Sequence, residues 1–207
     1  MQRQIYFLLL LFGSYMTLNA QEKGQTRFSF VLNPQISWIS SDHDQINGKG
    51  SLAGYNFGVI MDRFFGDNYA FCTGLTINTT GGKLSYSALG EEAAYTQTYR
   101  LKYIEIPLGL KLRSEDIRRT NFYGRFGLSP QINIKAVDSN EKNISGDIRL
   151  FDLGYHLGAG IEYSLGGKNA LLFGLLYNNG FADITKKDGF EDKSIQNRFV
   201  FEFGFIF

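Results

Sequence analysis

The chain has 207 residues with 21 basic and 20 acidic side chains, and a formal charge of +1 gives no electrostatic reason to expect nucleic acid as a partner. Its single cysteine, Cys72, excludes an intrachain disulfide and is expected to fill a small inward position on a strand. Twenty-four Gly, 12 Tyr and 19 Phe without long helical patterns describe one β-rich domain.

Arg3, the apolar run Ile5 to Phe12, and then Gly13, Ser14 and Ala20 spell a secretory signal peptide over residues 1–20, with cleavage after Ala20. A membrane helix needs about 20 apolar residues. Gly13, Ser14, Thr17 and Asn19 interrupt this run too early, and no Cys stands at the cleavage site to suggest a lipid anchor. Loss of Arg3 brings the mature domain, residues 21–207, close to neutrality.

From Arg27 to Trp38 the residues alternate: Phe28, Phe30, Leu32, Ile36 and Trp38 share one face, and Ser29, Asn33, Gln35 and Ser37 the other. Residues 40–50 are polar and Gly-terminated, and predict a loop. A second strand over 52–65 puts Tyr55, Phe57, Val59 and Met61 outward against Gly54, Asn56, Gly58 and Asp62. Gly66-Asp67-Asn68 then makes a tight turn. The third strand, 69–79, opposes Phe71, Leu75 and Ile77 to Ala70, Cys72, Gly74, Thr76 and Asn78. Residues 80–96 lose that alternation and predict a loop.

The fourth strand, 98–113, sets Ile104, Ile106, Leu108, Leu110 and Leu112 against Tyr103, Glu105, Pro107, Gly109 and Lys111. After a short charged connection at 114–120, the fifth strand, 121–135, opposes Phe122, Phe126, Leu128, Ile132 and Ile134 to Tyr123, Arg125, Gly127, Ser129, Gln131 and Asn133. A polar loop at 136–147 leads to the sixth strand, ending at Leu165, whose inward face is Asp152, Gly154, His156, Gly158, Gly160, Glu162 and Ser164. Residues 166–169 turn tightly into the seventh strand, 170–181, and a charged loop at 182–194 precedes the last. There Phe199, Phe201, Phe203, Phe205 and Phe207 form one wall, with Arg198 and Glu202 behind it.

Greasy outside and polar inside is the pattern of an outer-membrane barrel. Eight strands joined by alternately long and short connections predict an all-β fold: an eight-stranded antiparallel up-and-down transmembrane β-barrel, with short periplasmic turns and longer extracellular loops. Pro34, Pro107 and Pro130 each delete a ladder donor, so bulges are expected there, above all at Pro107. Trp38, Tyr55, Tyr99 and Tyr177 are expected in the aromatic girdle of the loop end, and Phe65, Tyr69, Tyr163 and Phe207 in that of the turn end.

The inward charges are expected to be Asp62, Arg100, Lys102 or Lys111, Glu105, Arg125, Asp152, His156, Glu162, Arg198 and Glu202. Opposite charges in a narrow lumen must pair, because an isolated one costs several kcal/mol. A polar network of Glu105, Lys111, Arg125, Asp152, His156, Glu162, Arg198 and Glu202 is the structural expectation, and a narrow ion path the functional alternative. His156 and Glu162 lie six residues apart on one face, roughly 20 Å and too far for a catalytic pair. Asp42-His43-Asp44 offers metal-ligand types on a loop but reads as solvated polarity. No nucleophile motif, phosphate loop or metal spacing occurs, so no catalytic, cofactor-binding or metal-ligating residue is assigned and no cofactor is expected.

The segment Tyr103 to Leu112, Y-I-E-I-P-L-G-L-K-L, resembles the PorT-like outer-membrane β-barrel family, as do Gly154 to Tyr163, G-Y-H-L-G-A-G-I-E-Y, and the Phe-terminated last strand. That strand also resembles the signal read by the barrel assembly machinery. The resemblance implies a Gram-negative outer-membrane protein whose namesake branch is associated with export of secreted proteins. Outer-membrane lipids, the assembly machinery and envelope or secretion-system proteins are the expected partners. Two other classes remain open at this stage: an outer-membrane enzyme acting on lipid or peptide and requiring His43 or His156, and a soluble lipocalin-like barrel with an apolar ligand inside.

Overall fold

A computed structural model describes residues 24–41, 46–86, 95–186 and 193–207. The proposed signal peptide and Asp42-His43-Asp44 lie outside these residues. Nine strands follow one another: β1 (Thr26–Ser41), β2 (Ile46–Gly66), β3 (Tyr69–Tyr86), β4 (Tyr95–Glu105), β5 (Leu108–Arg113), β6 (Thr120–Val137), β7 (Phe151–Gly166), β8 (Asn169–Gly180) and β9 (Ser194–Ile206). Every pairing is antiparallel between chain neighbours, with β4 and β5 sharing the partners β3 and β6. These two form one barrel strand interrupted at Ile106 and Pro107. Pairing of β1 with β9 closes an eight-membered ring and leaves no free edge.

The prolines do not produce the expected bulges. Registers run unshifted past Pro34 between β1 and β2, and past Pro130 between β6 and β7. At Pro107 the ladder stops for two residues and resumes in the same register, with the Ile106 amide still donating to the Pro130 carbonyl at 3.0 Å. Where β1 skips pairs with β9 beside Pro34, the Phe203 amide donates to the Asn33 side chain at 3.0 Å. A local polar group thus replaces a missing ladder bond without moving the strand. The shift on this side of the barrel falls elsewhere, between Lys102 and Tyr103 on β4 opposite Lys135 and Asn133 on β6.

Side-chain direction follows the alternation. The four phenylalanines of β9 are 41–46% exposed and Phe207, just beyond it, 53%, and Leu75, Leu108, Leu110, Phe126, Leu128 and Leu157 are exposed with them. Glu105, Arg125 and Glu162 are buried. A soluble lipocalin-like barrel would show the reverse, and that alternative fails here. No helix among the described residues is long and apolar enough to cross a membrane, so crossing falls to the strands.

The loop end departs from expectation. Residues 46–50, 80–86, 95–96 and 136–137 belong to strands rather than to loops, so β1 to β4 run well past the apolar band. In this upper part the rule inverts: Tyr99, Leu101 and Tyr103 are buried, while Arg100 is exposed and Lys102 half-exposed. Arg100 and Lys102 therefore point outward, contrary to their expected inward place. Tyr99 points inward and leaves the girdle, its hydroxyl bonded to that of Tyr86 at 2.7 Å. The other girdle residues stay outside, Trp38 packing on Phe199 and Tyr177, and Phe65 on Tyr69.

Candidate functional site

The lumen divides into tiers along the barrel axis. At the turn end, Lys111 on β5 places its Nζ 2.6 Å from Asp62 Oδ2 of β2 and 2.6 Å from Glu162 Oε1 of β7. Its ammonium also lies 4.8 Å from the Tyr123 ring centroid. Arg27 at 2.8 Å and Arg113 at 3.2 Å hold the other Glu162 oxygen. Lys111 is inward and Lys102 outward, so β4 and β5 resolve the sequence alternative in favour of Lys111.

One tier up, Arg125 pairs with Glu202, which also accepts the Tyr123 hydroxyl at 2.8 Å. Arg125 reaches Cys72 Sγ at 3.4 Å, so the cysteine is buried as expected, beneath a guanidinium. The space for this tier is made by glycine. A Cβ on Gly174 would stand 2.2 Å from the Tyr123 hydroxyl, and one on Gly160 2.6 Å from it. Above, Arg198 donates to Glu105 at 2.6 Å, Asn78 joins the same carboxylate at 3.3 Å, and Gln131 donates to Asp152 at 2.6 Å.

The network is balanced. Asp62, Glu105, Asp152, Glu162 and Glu202 face Arg27, Lys111, Arg113, Arg125 and Arg198, five against five among the described residues. Narrowness compels this, since the interior of eight strands is about wide enough for side chains alone. Of the eight lumen residues expected from sequence, the structure brings Arg125 to Glu202, Lys111 to Glu162 and Arg198 to Glu105. Asp152 and His156 take neutral partners instead.

His156 Nδ1 lies 2.9 Å from the Ser129 hydroxyl, which in turn accepts the Asn178 amide at 3.0 Å. Sequence reasoning did not join Ser129 to His156, because they meet across strands rather than along one. His156 Nε2 has no protein partner and borders a cavity of about 40 Å³ lined by Asn33, Glu105, Arg125, Asn178 and Arg198. A water needs roughly 10–15 Å³ of such space. The cavity beside the serine–histidine contact is of a size for a few waters. No cluster of three or more metal-ligating side chains occurs among the described residues.

The uppermost tier is apolar. Ile39, Leu84, Tyr99, Leu101, Tyr103 and Ala136 of the barrel wall pack with Ile144, Ile148 and Ile184. Ile144 and Ile184 come from segments that a polarity argument reads as solvated loops, and Ile148 from the stretch just before β7, where the sixth strand is expected to begin. The two segments are stitched together: the Arg149 amide donates to the Ile184 carbonyl at 2.9 Å, and the Lys186 amide to the Asp147 carbonyl at 2.8 Å. They pack these isoleucines against the inner wall of β1, β3, β4 and β6 as an apolar lid on that side of the loop end. The signal available in the sequence was three isoleucines isolated in polar surroundings.

Residues 19–186 match the model of the family described as outer membrane protein beta-barrel domain. Among solved structures, Neisserial surface protein A (NspA) shares 14% identity over 86% of this chain and 95% of its own, with a TM-score of 0.53. OprG of Pseudomonas aeruginosa shares 12% identity over 90% of this chain and 97% of its own, with a TM-score of 0.54. At these identities the likeness is one of fold. No curated protein matches the chain in sequence.

Proposed function

Because the chain belongs to the outer membrane protein beta-barrel domain family, and so is an outer-membrane β-barrel protein, we propose that it is a non-enzymatic, closed barrel presenting its loop end to envelope components or extracellular ligands. The observation that carries this reading is the filling of the lumen. Five carboxylates and five cations occupy its length, the cavity among the central charges holds about 40 Å³, and Ile144, Ile148 and Ile184 add apolar packing at the loop end, where a wider cavity of about 410 Å³ lies beside Ile39 and Gly48. Ions would have to cross a core whose charges are already neutralised by one another. The remaining accessible chemistry is on the outside and at the loop end.

The resemblance of Tyr103 to Leu112 and of Gly154 to Tyr163 to PorT-like barrels supports a finer reading, in which the loop-end contacts are made with secretion-system proteins. The wall of Phe199 to Phe207 supports delivery by the barrel assembly machinery. Two measurements test the whole. Wild-type protein in planar bilayers should give no stable unitary currents, and cells carrying His43→Ala and His156→Ala should keep their lipid profile. Steady single-channel steps would end the closed-lumen reading, and an altered lipid profile would end the non-enzymatic one.

A further inference from the structure

The barrel wall carries little outward charge, and what it carries near the loop end has one sign. On β2 through β6 the only carboxylates are Asp62 and Glu105, both buried inside. The same strands place Lys83, Arg100, Lys102 and Lys135 on the outer face, and Lys49 is exposed on the neighbouring part of β2. None of these five pairs with a carboxylate among the described residues. The outward faces of β7, β8, β9 and β1 near the loop end are uncharged and aromatic, with Trp38, Tyr155, Tyr177 and Phe199 and, just beyond β8, Phe181, and the nearby Arg149 already pairs with Asp183 at 3.1 Å. The cations are therefore confined to one sector.

Two details show that this sector is built rather than incidental. Lys102 and Lys135 are directly opposed across the β4–β6 ladder, an arrangement that like charges disfavour unless an anion lies between them. The register shift at this point leaves Ile134 and Lys135 both exposed, so an irregularity in β6 turns Lys135 outward beside its like-charged neighbour. Directly below on the same faces come Ile104, Ile106 and Leu108 of the β4–β5 strand and Ile132 and Ile134 of β6, the start of the lipid-facing band. The cations thus stand at the level where headgroups begin, on the side of the long connections.

We propose that Lys83, Arg100, Lys102 and Lys135 form a binding site for the phosphate groups of a phosphorylated glycolipid in the outer leaflet, with the acyl chains lying along the Ile104–Leu112 face. Charge complementarity identifies the occupant: an anionic headgroup on an apolar tail satisfies the unpaired cations and the apolar strip beneath them together. A soluble anion satisfies only the first. The site rests on the outer-membrane placement and is independent of whether the lumen is closed.

Native mass spectrometry of the full-length barrel in neutral detergent, titrated with bis-phosphorylated lipid A or with its dephosphorylated form, tests this. Wild-type protein is expected to prefer the phosphorylated form by about tenfold or more, and Arg100→Gln/Lys102→Gln/Lys135→Gln to lose that preference. Arg63→Gln, near the opposite end of β2, is expected to keep it. Lys135→Gln alone changes one exposed side chain and no ladder bond, and should weaken binding about threefold even if the triple variant fails to refold. Equal binding of the two lipids by wild type, or an undiminished preference in the Lys135 and triple variants, overturns the proposal. Displacement of the lipid by millimolar inorganic phosphate overturns the lipid source.

Discussion

Replacing Lys111 by Met tests the charge logic of the lumen at its densest point. The ammonium lies 2.6 Å from both Asp62 Oδ2 and Glu162 Oε1, so the two oxygens it separates are no more than about 5 Å apart. Without it, two unit charges at that distance repel by about 3 kcal/mol at an effective dielectric near 20. Glu162 keeps Arg27 and Arg113. Asp62 keeps no ion-pair partner, and its Oδ1 already lacks a hydrogen bond. The expected loss is about 3–5 kcal/mol, the usual cost of stranding a buried charge. Asp62→Asn alone leaves Lys111 with Glu162 and should cost about 2 kcal/mol. The double variant removes both members and should fall within about 1–2 kcal/mol of wild type. Urea unfolding from phosphatidylcholine vesicles, followed by the emission of Trp38 on the outer wall, measures all three. If Lys111→Met unfolds within about 1 kcal/mol of wild type, or the second substitution recovers nothing, pairing does not govern the lumen.

Other outcomes follow from neighbouring parts of the structure. Gly174→Val pushes the Tyr123 hydroxyl off Glu202 and should cost about 2 kcal/mol by the same unfolding assay; Gly146→Ala, where a Cβ meets nothing within 4 Å, should stay within about 0.5 kcal/mol. Cys72 should resist maleimide in the folded barrel and react fully in urea, because it is buried beneath Arg125. Ile184→Asp should release the lid, seen as faster proteolysis within residues 138–150 while the barrel itself remains folded, since Ile148 and Arg149 would lose the partner that holds them.

Within the membrane band the sequence was largely legible. One face is in lipid and the other in a filled lumen, so most side chains from Phe28 to Trp38, from Tyr55 to Met61 and from Phe122 to Gln131 declare their direction by polarity, with apolar Val31 and Ile60 turned inward against the rule. Above the band the same code was read with the wrong sign. Residues 80–86 and 95–103 still alternate in part, but with Leu84, Tyr99, Leu101 and Tyr103 inside and Lys83, Arg100 and Lys102 outside, as in a water-soluble sheet. Expecting charge inside throughout makes that stretch look patternless, hence a loop. It also sends Arg100 inward and Tyr99 outward. The pairings at the candidate site were illegible for a different reason: Arg125 with Glu202, or Ser129 with His156, is decided by ring closure and register, which composition does not encode. The prolines misled because a missing donor was equated with a bulge, whereas Asn33 and a two-residue pause absorb it.

The polarity reversal within β4 has a mechanical consequence. Between Tyr103 and Ile104 a single strand passes from the rules of a protein in water to those of a protein in oil, and it does so within one residue step, about 3.3 Å. That step is a waterline drawn on the molecule. A bilayer a few ångström thicker would submerge Arg100 and Lys102, and a thinner one would lift Ile104 into water, so the barrel's draught is fixed by its own strand. Such a body should settle where membrane thickness suits it and resist being carried elsewhere.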